Sequence, residues 1–425
     1  MVTYRCHGCG AVVDVAAALP FRCPGAGADD TDHVLVPQGG TPAWPDDAEA
    51  NPYLRYRAML SPYRLAREAG LSDAAWTDLV GSLDTALVAV DGRGFVVTPL
   101  AEERPLASAL GLTRQLWVKD ETGNVAGSHK ARHLIGVMLY LRVVEVAELP
   151  VASGLRARRL AIASCGNAAI AAAVVARAAD RPLDVFIPPE ASETVVATLR
   201  DLGAAIAVCE RRAGERGDPC VLRFREAVAA GAIPFGVQGC ENGLAVEGGR
   251  TIGFELADGF AAAGIEPEAI LVQVGGGALA SAVSQGLHLA RAAGRLAHVP
   301  KLIAVQAEGC APLARAWQRL EGIDLAAAAR RRSNFMWPWE SVPASLAGGI
   351  LDDETYDWWE VANGMRASGG SVLVADEGEL ARAHAAARAA TGIPVSPTGS
   401  AGLAGASALA SAGAPVAVIF SGRER

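Results

Sequence analysis

Lys119-Asp120-Glu121-Thr122-Gly123-Asn124-Val125-Ala126-Gly127-Ser128-His129-Lys130-Ala131-Arg132-His133 is the stretch on which the reading of the fold turns. A strand-like run, Gln115 to Val118, feeds a loop containing Gly and Asn. The loop closes on Ser128-His129-Lys130, and the helical pattern of Leu134, Val137, Met138 and Leu139 starts at once. A lysine held partly desolvated at such a junction has a lowered amine pKa and serves as a base or a nucleophile toward a carbonyl. Taken alone, the same residues more often make a surface lysine in a first helical turn. The rest of the chain reverses that judgement.

Outward from this loop, strands and helices alternate. Leu160–Ala163, Leu183–Ile187, Ala205–Val208, Ala269–Val274, Lys301–Val305 and Val416–Phe420 read as short apolar strands; the first is followed by an alanine-rich helix, and the second and fourth by further helices. Repeated strand, loop, helix units predict an α/β fold with parallel sheets and functional loops at the strands' carboxyl ends.

Three further loops follow predicted strands. Ser164-Cys165-Gly166-Asn167-Ala168 turns into a helix whose first backbone N–H groups suit a carboxylate, and the Asn167 amide can donate to a phenolic oxygen. Gly275-Gly276-Gly277-Ala278-Leu279 lets backbone wrap a phosphate at a helix start. It is neither the Gly-x-Gly-x-x-Gly dinucleotide pattern nor a Walker A loop, so a monophosphate is expected rather than a nucleotide. Ser421, after the last strand, offers a neutral hydroxyl to a ring nitrogen. Each loop has an ordinary reading as a helix cap or a terminus. Together they supply what pyridoxal 5'-phosphate needs: an amine for its aldehyde, a donor for its phenolic oxygen, a phosphate cradle and a partner for its pyridine nitrogen.

Composition narrows the rest. With 425 residues, the chain is long enough for two or three packed units. Its net charge of −8 argues against nucleic acid and against anionic membrane surfaces, leaving a small-molecule substrate. The start lacks a signal-like apolar core, and the uncharged stretch Ala401 to Ser421 is broken by Gly405, Gly413 and Pro415 into a helix, a turn and a buried strand. A cytoplasmic location is expected. Cys6-His7-Gly8-Cys9 and Cys23 have zinc-ribbon spacing, with His33 the best fourth ligand and His7 a weaker one. Residues 1–40 thus read as a zinc-ribbon-like unit and 41–95 as a helical connecting arm.

Lys119-Asp120-Glu121 with Gly127-Ser128-His129-Lys130-Ala131-Arg132, Ser164-Cys165-Gly166-Asn167, Val274-Gly275-Gly276-Gly277-Ala278-Leu279 and Phe420-Ser421-Gly422 resemble the motifs of the tryptophan-synthase-β-like, fold type II enzymes. Ala304–Gly309, Glu247–Thr251 and the cysteine ribbon are similar to threonine synthase segments. The resemblance implies two open parallel-sheet domains at 96–425, with a smaller inserted domain at about 135–235, in a homodimer. It implies pyridoxal 5'-phosphate carried on Lys130, which also moves the substrate's α-proton, with Asn167, Gly275–Leu279 and Ser421 around the cofactor. Ser164–Ala168 would bind the carboxylate of a small amino-acid substrate. The implied reaction is elimination or replacement at the β or γ carbon. Serine/threonine ammonia-lyase and a catalytically silent scaffold or sensor are the alternatives.

Three departures bear on the substrate. Cys240 and Ala245 stand where related threonine synthases carry the Ser and Arg that hold a substrate phosphate, with Arg200 and Arg250 as nearby substitutes. His129 replaces the usual Phe, either as a second acid/base group or as packing against the cofactor. Ala131 replaces the usual Asp.

Overall fold

The computed structural model describes residues 1–46, 48–215, 217–409 and 412–425. Strands β1 (Thr3–Cys6), β2 (Val12–Asp14) and β3 (Leu35–Pro37) form a small antiparallel sheet of order β2-β1-β3. The remaining strands are β4 (Leu100–Glu102), β5 (Leu116–Asp120), β6 (Leu160–Ala163), β7 (Leu183–Ile187), β8 (Ala205–Val208), β9 (Ile233–Pro234), β10 (Ala269–Gln273), β11 (Lys301–Ala307), β12 (Ser371–Ala375) and β13 (Val416–Phe420). They build a six-stranded sheet, β12-β11-β10-β13-β5-β4, and a four-stranded one, β8-β7-β6-β9.

The four-stranded sheet is parallel throughout, and in the larger one only β4 runs antiparallel, at an edge beside β5. The parallel sheets expected from the strand–helix alternation, and the two open sheets that the resemblance implies, are therefore present, with this one exception. β9, β12 and β4 have no counterpart among the predicted strands, because each is short or sits at a sheet edge. The central strands are apolar and buried on both faces, as parallel strands covered by helices must be.

Topology brings the motifs together. β10, β13 and β5 are adjacent and parallel, so the glycine turn, Ser421 and the lysine loop all leave the same carboxyl edge. The Asn167 loop leaves the carboxyl end of β6 in the other sheet. A cleft between two such edges is where open α/β sheets place ligands.

The helix that begins at Lys130 (Lys130–Val146) is buried along most of its length and crosses the helix Ala245–Ala263 through glycines. A β-carbon on Gly136 would lie 2.8 Å from the Gly248 Cα, and one on Gly248 would run into the Arg132 carbonyl. This close crossing sets the depth of Lys130. Gly248→Ala should therefore cost about 1–3 kcal/mol, read as a lowered midpoint in denaturant unfolding.

The arm contributes the helix Asp73–Asp91, with Trp76 and Leu83 buried and Leu79 partly so. The N-terminal sheet is tied to the body through the Tyr4 hydroxyl on Glu247 Oε2, 2.7 Å, and the Tyr140 hydroxyl on the Val15 carbonyl, 2.8 Å. No helix among the described residues is long and apolar enough to cross a membrane.

Candidate active site

Gly422 marks where the loops meet. A β-carbon there would lie 3.0 Å from the Ser128 Cβ and 3.2 Å from the Asn167 Nδ2. Ser128 and Gly422 also form an isolated antiparallel bridge. The lysine loop, the asparagine loop and the segment after β13 are thus in contact. Gln273, the last residue of β10, adds the glycine turn: its Nε2 donates to Ser421 Oγ at 2.6 Å and to the Gly399 carbonyl at 2.8 Å.

Lys130 opens its helix half-buried. Burial lowers its amine pKa, and the Asp352 and Asp357 carboxylates partly offset this. The chain has only three lysines. Lys119 is fully buried against Glu255 Oε2 at 2.6 Å, and Lys301 pairs with Glu268 at 3.2 Å. Lys130 stands two residues after Ser128, which meets Gly422, and has no such ion pair among the described residues. That scarcity is a signal in the sequence that motif spacing alone does not use.

His129 is buried, and its Nδ1 donates to the Ser421 carbonyl at 3.0 Å, as does its backbone N–H. Burial, Lys130 and His133 hold its pKa well below the ordinary histidine value, so the ring is neutral. Its Nε2 meets no partner among the described residues. The arrangement ties the lysine loop to the Ser421 segment. His133, one turn on, donates from Nδ1 to the Ala245 carbonyl at 2.8 Å and is pushed down to about 3, chiefly by burial.

In the asparagine loop, Ser164 N–H donates to the Phe186 carbonyl at 3.2 Å, Cys165 is exposed, and Gly166 precedes the helix Asn167–Ala178. Among the described residues the amides of Asn167 and Ala168 meet no protein acceptor, which leaves them for an anion. Asn167 Oδ1 accepts from Arg425 Nε at 2.7 Å, so its Nδ2 faces the convergence point.

The glycine turn precedes the helix Ala278–Ala292, and Gly277 has a positive φ of 96° that favours glycine. The amides of Gly277, Ala278 and Leu279 meet no protein acceptor among the described residues. Gly276 N–H donates to Asp352 Oδ2 at 2.7 Å. A carboxylate oxygen thus stands where a phosphate oxygen would, and the donor set fits that group. The room left by the missing side chains is partly taken by Thr355 and Tyr356, each about 3 Å from a β-carbon built on Gly277 and Gly276. Gln273, Asp352 and His133 form part of this site, and no motif in the sequence announces them.

Beneath the lysine loop lies a buried ion network. Arg132, fully buried, donates to both oxygens of Glu121 at 2.8 and 2.9 Å and to those of Glu255 at 2.6 and 3.1 Å. Lys119 closes the network on Glu255 Oε2 and the Thr98 carbonyl, both at 2.6 Å.

In the N-terminal sheet, ligand atoms of Cys6, Cys9, Cys23 and His33 all lie within 4.8 Å of one another. Cys6 Sγ is 3.6 Å from His33 Nδ1, and Cys9 Sγ is 3.5 Å from Cys23 Sγ. His33 Nε2 is oriented by Asp29 at 3.1 Å. His7 is turned away, bonded to Asp32 at 3.0 Å and Glu360 at 3.2 Å and stacked on Trp359.

Residues 93–422 match the family described as pyridoxal-phosphate dependent enzyme. A threonine synthase of Methanosarcina acetivorans is 27% identical over 310 residues, covering 72% of this chain and 68% of that protein. A serine dehydratase-like protein of Mus musculus is 29% identical over 195 residues, 45% of this chain and 52% of that one. Among solved structures, the T.th. threonine deaminase aligns with a TM-score of 0.61 at 22% identity, covering 81% of this chain and 98% of its own. The maize serine racemase aligns with a TM-score of 0.59 at 19% identity, covering 81% and 93%. With the family match spanning most of the chain and the fold shared with these structures, the chain belongs to the pyridoxal-phosphate dependent enzymes of fold type II.

Proposed function

We propose that this chain is a lyase or synthase that eliminates or replaces a group on the β or γ carbon of a small L-amino acid. When bound, pyridoxal 5'-phosphate supplies a conjugated ring that takes up the electrons left when the α-proton departs. Lys130 would carry it and, with an amine kept basic but easily neutralised by burial, would accept that proton at Nζ. The Gly277, Ala278 and Leu279 amides would hold its phosphate, and the Asn167 Nδ2 its phenolic oxygen. The free amides at the start of the Asn167 helix would hold the substrate carboxylate.

The observation that carries this reading is the Ser421 hydroxyl. Its Oγ accepts from Gln273 Nε2 at 2.6 Å, which directs its own proton elsewhere. A hydroxyl so fixed would be free to donate to an unprotonated ring nitrogen of the cofactor. Such a neutral partner restrains the electron sink, which favours elimination and replacement over transamination.

Ammonia-lyase chemistry is the second reading, supported by what surrounds Ala245. Arg250, the nearby arginine able to replace a phosphate clamp, gives its Nε to Gln285 at 2.9 Å and lies 3.8 Å from Glu247. Arg200 is exposed on the helix Glu193–Asp201. A panel of L-Thr, L-Ser and their O-phosphorylated and O-acetylated relatives, read by mass spectrometry, separates the readings. Keto-acid release from the free amino acids supports the ammonia-lyase; release of phosphate or acetate from the substituted ones supports the first reading, elimination or replacement. Inversion of the α-carbon with neither release would contradict both.

The Cys6, Cys9, Cys23 and His33 cluster is proposed as a structural zinc site, since three thiolates and an imidazole close a tetrahedral shell with no open position. A strong chelator should remove one zinc ion per chain and lower Tm by several degrees. Cys23→Ser should arrive without zinc and with a similar Tm deficit; a metal-free wild type with unchanged Tm would contradict the assignment.

A further inference from the structure

The glycine turn has a companion of its own chain. Gly276 N–H is bonded to Asp352 Oδ2, and a β-carbon on Gly275 would run into that oxygen. The backbone at and after Asp352 is held against its surroundings. Cys310 Sγ donates to the Asp352 carbonyl at 3.2 Å, and Trp339 N–H to the Asp353 carbonyl at 2.9 Å. Asp357 N–H donates to the Gly276 carbonyl at 2.8 Å, and Asp357 Oδ1 accepts from Gly239 N–H at 3.0 Å. The segment from Asp352 to Asp357 thus lies against the turn.

The Gly276 amide that Asp352 holds adjoins the free Gly277, Ala278 and Leu279 amides read as the phosphate seat, so a phosphate seated there would reach for it as well. One N–H donates at full strength to only one anion, and two oxyanions at this spacing repel. We propose that Asp352 competes with the cofactor's phosphate for the Gly276 amide, so that this residue sets how tightly the cofactor is held. The inference rests on the reading of Gly275–Leu279 as the phosphate seat. It goes beyond that reading because it assigns an affinity-setting role to a residue outside the turn. The competition itself acts on the phosphate, while Asp352 also acts on the aldehyde side through the charge of Lys130.

The experiment uses the full chain, freed of cofactor by dialysis, as wild type, Asp352→Ala and Asp352→Asn. Binding of pyridoxal 5'-phosphate and of pyridoxal is followed by absorbance, and binding of inorganic phosphate by calorimetry. Asp352→Ala should bind pyridoxal 5'-phosphate and inorganic phosphate about tenfold more tightly than wild type, the worth of one charge-assisted bond no longer contested. Pyridoxal, which feels Asp352 only through the Lys130 charge, should gain distinctly less than pyridoxal 5'-phosphate. Asp352→Asn, which removes the charge and keeps the shape, should gain a smaller factor in the same direction. It decides the matter alone if the alanine variant fails to fold. Unchanged or weaker phosphate binding in the folded variants overturns the proposal, as does an equal gain for pyridoxal. Failure of the underlying reading looks different: wild type itself would then bind pyridoxal and its phosphate equally well.

Discussion

Lys130→Ala should abolish turnover, with a fall of at least about 10³-fold in kcat/KM, and remove the visible absorbance that borohydride bleaches. No neighbour can take over. Lys119 is locked in an ion pair with Glu255, and Lys301 pairs with Glu268 on an exposed strand end. Lys130→Arg should be as inactive, because a guanidinium stays protonated and cannot attack a carbonyl. Initial rates and an absorbance spectrum check both. Retention of rate and absorbance in the alanine variant would contradict the assignment.

Arg132→Met should bring the largest loss of stability, about 3–5 kcal/mol in chemical denaturation. Lys119, Arg132, Glu121 and Glu255 form a neutral set with side chains at most 1% exposed. Removing Arg132 leaves two buried carboxylates facing one cation. Burial alone would raise the Glu255 carboxyl, but Arg132 and Lys119 outweigh it and hold it below the ordinary value. A depressed carboxylate pKa contributes stability that is complete above the ordinary glutamate value of about 4.3 and is lost as pH falls through the folded value. In the variant this acid-dependent component should shrink. A loss under about 1 kcal/mol would mean the network is not what holds the lysine loop in place.

The sequence shows the strand–helix alternation because a parallel sheet demands continuous apolar runs, and Leu160–Ala163, Leu183–Ile187, Ala205–Val208 and Val416–Phe420 are such runs. β12, with partly exposed residues at a sheet edge, carries a weaker pattern and escapes it. The four loops are legible for the same reason, since glycines and polar caps interrupt the apolar periodicity. What stays hidden is whatever acts at a distance in the chain. Gln273 looks like one more strand residue until β13 is seen beside β10, and Asp352 looks like a loop acid until its carboxylate is found on Gly276. His129 reads as a candidate acid or base from its position alone. Its bond to the Ser421 carbonyl and its depressed pKa favour a role in holding the loop.

The central claim is that one lysine carries the cofactor. Borohydride reduction of the full chain with pyridoxal 5'-phosphate, followed by digestion and mass spectrometry, locates the pyridoxyl label among three lysines. The label is expected on Lys130 in stoichiometric amount, with Lys119 and Lys301 clear of it. A label on Lys119 or Lys301 instead, or none on any, would contradict the account.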